Sequence, residues 1–235
     1  MLRCEIAIAG VGKYAAGASG DVVETVERPG GGISVVIVDG QGSGPAAKAL
    51  ALLVAARSAG LLRDGIRDLL VAQAAADFLL AYRRGQVSAT LDILTLEQQQ
   101  GLARVTRNNP TPYIVRVGQD CLFSGEGSEP LGTLRSPRIS QREYPLTPQL
   151  KLALFTDGVV GGRGRPGPVF DPQHWLRTAE PTLAAQPTAD GLLDAAINSD
   201  AGRPSDDMTV VVLACEPVGS VLPRSRSLFS RMIEQ

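Results

Sequence analysis

The stretch that most constrains this chain is Val35-Val36-Ile37-Val38-Asp39-Gly40-Gln41-Gly42-Ser43-Gly44-Pro45, an apolar run that stops at a carboxylate and three alternate glycines. The β-branched residues of 33–38 suit a buried strand, and Pro45 with the alanine-rich residues 45–57 suits a helix starting just after the turn. Asp39 then sits at a strand's carboxyl end, where glycines let another group approach the backbone. Three readings are open. A phosphate cradle lacks the Gly-Lys-Ser/Thr of a P-loop, Pro45 spoils a dinucleotide fingerprint, and Asp39 would repel a pyrophosphate. The second reading is a plain structural turn. In the third, Asp39 is an oxygen ligand for a hard metal ion and Gly40 offers its carbonyl.

At 235 residues with 44% hydrophobic and 20% charged residues, the chain has the composition of a soluble globular protein, and no linker divides it. Only ten aromatic residues occur, so the core must be aliphatic. A formal net charge of -1 without long charged blocks argues against a nucleic-acid or anionic-membrane binder. Cys4, Cys121 and Cys215 lie in apolar contexts with no Cys-x-x-Cys pair, which predicts buried reduced thiols and an intracellular setting. The first ten residues are too short and too weakly apolar for a signal peptide, and no run reaches the roughly 20 apolar residues of a membrane span. A cytoplasmic protein is the expectation.

Along the chain, residues 4–11 and 22–27 alternate as strands, and residues 28–32 turn the chain into the strand that ends at Asp39. Two helices follow. Ala46, Leu50, Leu53 and Ala56 share a face in the first, with Gly60 as its stop; Ile66, Leu70, Ala74 and Phe78 recur four apart in the second, which ends at Arg83-Arg84-Gly85. From Ser88 the period becomes two. Residues 88–96, 102–107, 113–117, 121–124, 139–144 and 150–155 read as strands of an antiparallel sheet system. A loop at 158–168, helices near 172–178 and 191–198, and a last strand at 210–215 complete the domain, 1–216; residues 217–235 read as a C-terminal tail with a short helix at 227–233.

Four acidic residues share one setting, the start or end of an apolar strand: Asp21, Asp39, Asp157 and Asp206. Singly, each is a common turn or cap residue. If the strands are neighbours, the four carboxylates converge and need counter-cations, and two divalent ions would neutralise them. Oxygen-only ligation selects Mg or Mn over Zn. Two such ions suit the hydrolysis of phosphate esters.

Ser-Gly-Asp at Asp21, Val-Asp-Gly-x-Gly-x-Gly at Asp39, Leu-Phe-Thr-Asp-Gly-Val at Asp157 and Asp-Asp-Met-Thr-Val-Val-Val at Asp206 occur in the order of the metal-dependent protein phosphatases of type 2C. The chain resembles their compact bacterial serine phosphatase branch, the SpoIIE-like and RsbX-like regulators. Asn108-Asn109-Pro110 and Pro130-Leu131-Gly132 fall where that branch has similar blocks, and the resemblance runs from about residue 3 to 216. It implies an α+β fold, an αββα sandwich of two antiparallel sheets flanked by helices. It also implies two Mn or Mg ions: Asp39 bridging both, the Gly40 carbonyl on one, Asp157 and Asp206 on the other, and Asp21 acting nearby through water. Asp207, where other members carry Asn, is then a turn or supporting group. The implied activity is hydrolysis of phosphoserine or phosphothreonine by metal-activated water. The implied partner is a phosphorylated protein, such as an anti-sigma antagonist or sensor scaffold in a stress or sporulation switch.

Some positions depart from the pattern. Gln41 stands where many eukaryotic members have a proton-donating His, Gly20 stands where they have Glu, no arginine before Asp21 matches their phosphate-binding one, and the Gly-Asp-Ser-Arg block of a third metal site is missing. These departures keep two rivals open: a weakly active, partner-binding regulatory module and a small-molecule phosphoesterase. His174, the single histidine, reads as a structural or exposed residue rather than a catalytic one. Asp92 reads as a solvent-facing strand residue rather than a ligand. Arg163 and Arg165 fit either a solvated loop or a phosphate-contacting flap.

Overall fold

In chain order the elements are β1 (Leu2–Val11), β2 (Asp21–Glu27), β3 (Ile33–Gly40), α1 (Pro45–Arg63), α2 (Asp68–Arg83), β4 (Ala89–Glu97), β5 (Leu102–Asn108), β6 (Tyr113–Val117), β7 (Asp120–Ser124), β8 (Ser140–Pro145), β9 (Leu150–Phe155), α3 (Asp157–Val160), α4 (Pro172–Thr178), α5 (Ala185–Ser199), β10 (Met208–Pro217) and β11 (Leu228–Ile233). The computed structural model describes residues 2–124, 127–161 and 170–217, and the backbone of 228–233. Period-two alternation placed the strands to within about two residues. The chain is α+β, with two sheets that are antiparallel except where β11 joins β1 in parallel. Contacts divide it into two units, each drawn from separate stretches of sequence.

The Asp39 unit comprises Gly17–Pro110 and Gly125–Pro145. Its sheet runs β2-β3-β4-β5-β8. One face, carrying Val36, Val38, Leu91 and Ile93, is sealed by Leu50, Val54, Val71 and Leu79 of α1 and α2. Both helix faces differ from the expected ones. Ala46, Leu53 and Ala56 are exposed while Ala47, Leu50, Ala51, Val54 and Ala55 are buried; Ile66, which lies ahead of α2, and Leu70 within it are exposed while Val71, Ala75 and Leu79 are buried. Alanine and leucine occur on every side of these helices, so a four-residue spacing could be read on more than one face. Gly60 does not stop α1, which runs on to Arg63 and ends before Gly65 at φ 82°. At 19 residues and a mean hydropathy of 1.4, α1 is long and apolar enough to cross a membrane, against expectation, although eight of its residues are buried within the fold.

The Asp157 unit comprises Met1–Ala16, Thr111–Ser124 and Leu146–Gln235. Its sheet runs β11-β1-β10-β9-β6-β7, with α5 packed on β1 and β10 through Leu192, Leu193 and Ala196. Helix α5 begins six residues before the expected 191, and α3 occupies the start of the expected loop. The helix expected at 227–233 is instead the strand β11: an edge of β1 is available for pairing, and short periodic segments take the structure their partner offers. Cys4 and Cys215 face each other across β1 and β10, Cα atoms 4.2 Å apart, and form a disulfide; only Cys121 remains a buried free thiol among the described cysteines. The expectation of three reduced thiols fails because the pair is 211 residues apart, so no local spacing reveals it.

Candidate metal centre

In the Asp39 unit, register does the positioning. Asp21 on β2 lies directly across from Asp39 on β3, and Asp39 across from Thr90 on β4. Cross-strand partners share a face, so these three line one row on the face opposite Val36 and Val38. Asp21 is buried and Asp39 half-buried. A Cβ on Gly40 would stand 2.3 Å from the Ala47 carbonyl oxygen, so α1 abuts β3 only because residue 40 is glycine. Gly42 and Gly44, at φ 94° and 78°, turn the chain into Pro45 at the first turn of α1. Gln41 is tied down: its N–H donates to the Ser88 carbonyl at 3.1 Å, and its side-chain Oε1 accepts from the Ser88 N–H at 2.9 Å. Lys48, in the first turns of α1, donates from Nζ to the Asp21 backbone carbonyl at 2.9 Å.

One row further along the same face, Asp92 lies across from Arg107. Its solvent-facing assignment is overturned: Asp92 is 1% and Arg107 2% exposed. Asp92 Oδ1 accepts from Arg107 Nε at 2.6 Å, and Oδ2 accepts from Arg107 Nη2 at 3.0 Å and Asn109 Nδ2 at 2.9 Å. Asn109 exchanges two bonds with Ser128, Asn108 Nδ2 donates to the Glu129 carbonyl at 3.0 Å, and Leu131 bridges to Ala89. The blocks at 108–110 and 130–132 are thus joined at this end of the sheet.

In the Asp157 unit, β9 ends at Phe155, Thr156 follows, and Asp157 opens α3. Thr156 and Thr209 lock this end to β10: the Thr156 N–H donates to the Thr209 carbonyl at 3.1 Å, and the Thr209 N–H to Thr156 Oγ1 at 3.0 Å. A Cβ on Gly158 would stand 2.1 Å from the Asp207 carbonyl oxygen. Asp157, Gly158, Gly161, Ser205 and Asp206 line a hollow of about 50 Å³. Burial, and next the charge of Asp157, push the Asp206 carboxyl above the usual carboxylate range, against a backbone N–H from Asp207 and the charge of Lys13. Asp207 turns elsewhere and accepts the Lys13 backbone N–H at 2.7 Å.

Each unit therefore ends an apolar strand in Asp-Gly with further carboxylate at hand. Within neither unit do three His, Cys, Asp or Glu side chains among the described residues gather closely enough to hold a metal ion. The donor set fits a hard divalent cation all the same: every donor is oxygen, and Asp157 and Asp206 line one small hollow in which the charge of Asp157 helps hold the Asp206 carboxyl above its usual range. His174 is exposed on α4, where its N–H is capped by Asp171. Arg163 and Arg165 lie outside the described residues. Sequence reasoning missed Lys48, Arg107 and the Thr156–Thr209 lock. For Lys48 a signal existed, since the chain has three lysines against 20 arginines.

The family model for stage II sporulation protein E (SpoIIE) matches residues 29–216. Stage II sporulation protein E of Bacillus subtilis (strain 168) is 23% identical over 198 residues, which is 83% of this chain and 24% of that protein; the chain thus spans about a quarter of this curated relative. The structure of the PP2C phosphatase domain with a regulatory-domain fragment of Bacillus subtilis SpoIIE aligns at a TM-score of 0.78 and 21% identity, over 92% of this chain and 62% of that one. The RsbU and RsbW domains of Rv1364c from Mycobacterium tuberculosis align at 0.71 and 18%, over 91% and 60%, and RsbX in complex with magnesium at 0.69 and 13%, over 92% and 100%. The fold is the type 2C phosphatase fold, and the chain belongs to the SpoIIE family.

Proposed function

We propose that this chain is a Mn- or Mg-dependent protein serine/threonine phosphatase, with residues 1–216 as its phosphatase domain and 217–235 as a tail. The observation that carries this reading is the Asp-Gly strand end built twice, each glycine dictated by backbone at 2.3 Å or 2.1 Å from a would-be Cβ. Asp39, the Gly40 carbonyl, Asp157 and Asp206 would hold two divalent cations, with Asp21 beside them. When bound, such ions activate water and offset charge on phosphoryl oxygens. The likeness to a magnesium-bound RsbX supports this choice of ion.

The chain's own residues define the rest of the chemistry. Cys121 is a poor nucleophile because burial pushes its thiol up, and Cys4 and Cys215 are bonded to each other, so hydrolysis proceeds by water without a cysteinyl-phosphate. Gln41 cannot protonate the leaving serine alkoxide, so that proton comes from water rather than from residue 41. The Thr156–Thr209 lock and the Asp207 bond to Lys13 fix the backbone that carries Asp157 and Asp206. The substrate class is a phosphorylated regulatory protein of a bacterial sigma-factor or stress switch, an anti-sigma antagonist or sensor scaffold, as likeness to SpoIIE, RsbX and Rv1364c suggests.

Gln41, engaged by Ser88, favours a second reading: a partner-binding module of the same fold with little turnover. One assay separates the readings. Release of phosphate from a phosphoserine protein and from a sugar phosphate is measured with Mn, with Mg and with chelator. Metal-dependent release from the protein alone is expected. Preference for the sugar phosphate would make the chain a small-molecule phosphoesterase, and Mn binding without release from either would favour the module.

A further inference from the structure

Lysine is rare in this chain, three residues against 20 arginines, and Lys13, Lys48 and Lys151 are all at least half-buried. Arginine is the chain's ordinary cation, and lysine differs from it in carrying a compact point charge with three donors in place of a planar fork. Lys48 is the one at the Asp39 end. It sits four residues into the 19-residue helix α1, whose first backbone bond runs from the Lys48 N–H to the Gly44 carbonyl at 3.0 Å. A cation there opposes the helix dipole. The helix dipole therefore gives no reason for a cation at position 48, and its surroundings give one: Nζ reaches across to β2 and donates to the Asp21 carbonyl at 2.9 Å, next to the Asp21–Asp39 cross-strand pair. Among the described residues the ammonium forms no ion pair, and its other two N–H groups remain available.

We infer that Lys48 is a positioning residue that holds the Asp21 end of β2 against α1 and sets the balance between cation and phosphate binding at the Asp39 end. The inference rests on the phosphatase reading and goes beyond it by assigning a role there to the Lys48 cation tied to the Asp21 end of β2. Two opposite effects follow from one charge. Beside a cation site, Lys48 weakens metal uptake; beside the phosphoryl oxygens, it strengthens substrate and phosphate binding.

The test compares the 235-residue wild type with Lys48→Met and Lys48→Arg, each checked for folding by circular dichroism. Mn affinity is measured by titration calorimetry without substrate, inorganic phosphate affinity by competitive inhibition, and kcat and KM on an aryl phosphate. Lys48→Met is expected to bind Mn about threefold more tightly and phosphate about tenfold more weakly, with the loss falling more on KM than on kcat, as a partly screened charge predicts. Lys48→Arg is expected to restore phosphate binding. A Lys48→Met protein that loses Mn and phosphate affinity together would show a merely structural tie and overturn the inference, as would unchanged values for both. A wild type that neither binds Mn nor hydrolyses the ester would instead overturn the phosphatase reading, and this inference with it.

Discussion

The two Asp-Gly strand ends look alike in sequence but are held by different neighbours. At Gly40 the obstructing backbone belongs to Ala47, on a 19-residue helix; at Gly158 it belongs to Asp207, in the turn that starts β10, beside a helix of only four residues. One carboxylate is thus braced by a helix packed on its sheet, and the other by two threonines stitching adjacent strands. The units also bury charge differently. The Asp39 unit closes Asp92 onto Arg107 as an acid–base pair, whereas the Asp157 unit buries Arg116 and Lys151 side by side against carbonyl oxygens of Gly118, Leu176, Ala179 and Pro181. The same local motif therefore says little about what makes it rigid.

The largest expected effect tests the charge contrast. Asp92→Ala removes the carboxylate that accepts two bonds from the buried Arg107 guanidinium, and denaturant unfolding should show a loss of about 3–5 kcal/mol; a loss below 1 kcal/mol would mean that Arg107 escapes to water. Next come Gly40→Ala and Gly158→Ala, in which a methyl group meets backbone that cannot rotate away, at an expected cost of about 1–3 kcal/mol each. If only one is costly, the two ends are not equivalent in rigidity, which would sharpen the comparison.

The third concerns pH. Burial, then the neighbouring charge of Arg116, lowers the Lys151 ammonium from 10.5 to about 8, with Glu216 opposing. Between pH 8 and 10.5 the unfolded chain keeps a proton that the folded chain has lost, so stability should rise with pH across that window. Lys151→Met should flatten the rise in denaturation curves taken across it. The smallest effect is a gain. Gly60, inside α1 with open space around its would-be Cβ, should stabilise by about 0.5–1 kcal/mol when replaced by Ala, the reverse of Gly40 on the sheet that α1 covers.

The strands and both Asp-Gly ends were legible because a period of two and a terminal carboxylate are local signals. The helix faces were not: in α1 and α2 alanine and leucine recur on all sides, and only packing selects Ala47, Leu50 and Val54 over Ala46, Leu53 and Ala56. Asp92 looked solvent-facing because a polar residue in an alternating strand normally is. Its partner Arg107 is fixed by the register of β4 with β5, which no single segment encodes. The Cys4–Cys215 disulfide and the pairing of β11 with β1 likewise depend on which distant strands meet.

The central claim is that the two strand ends serve one chemistry, and the most direct measurement is turnover of a phosphoserine protein by Asp39→Asn and Asp157→Asn side by side with the wild type, at saturating Mn. The account expects both variants to lose at least about 100-fold in kcat/KM, since each removes a charge from the proposed ligand set. Near-normal turnover in either variant would contradict it.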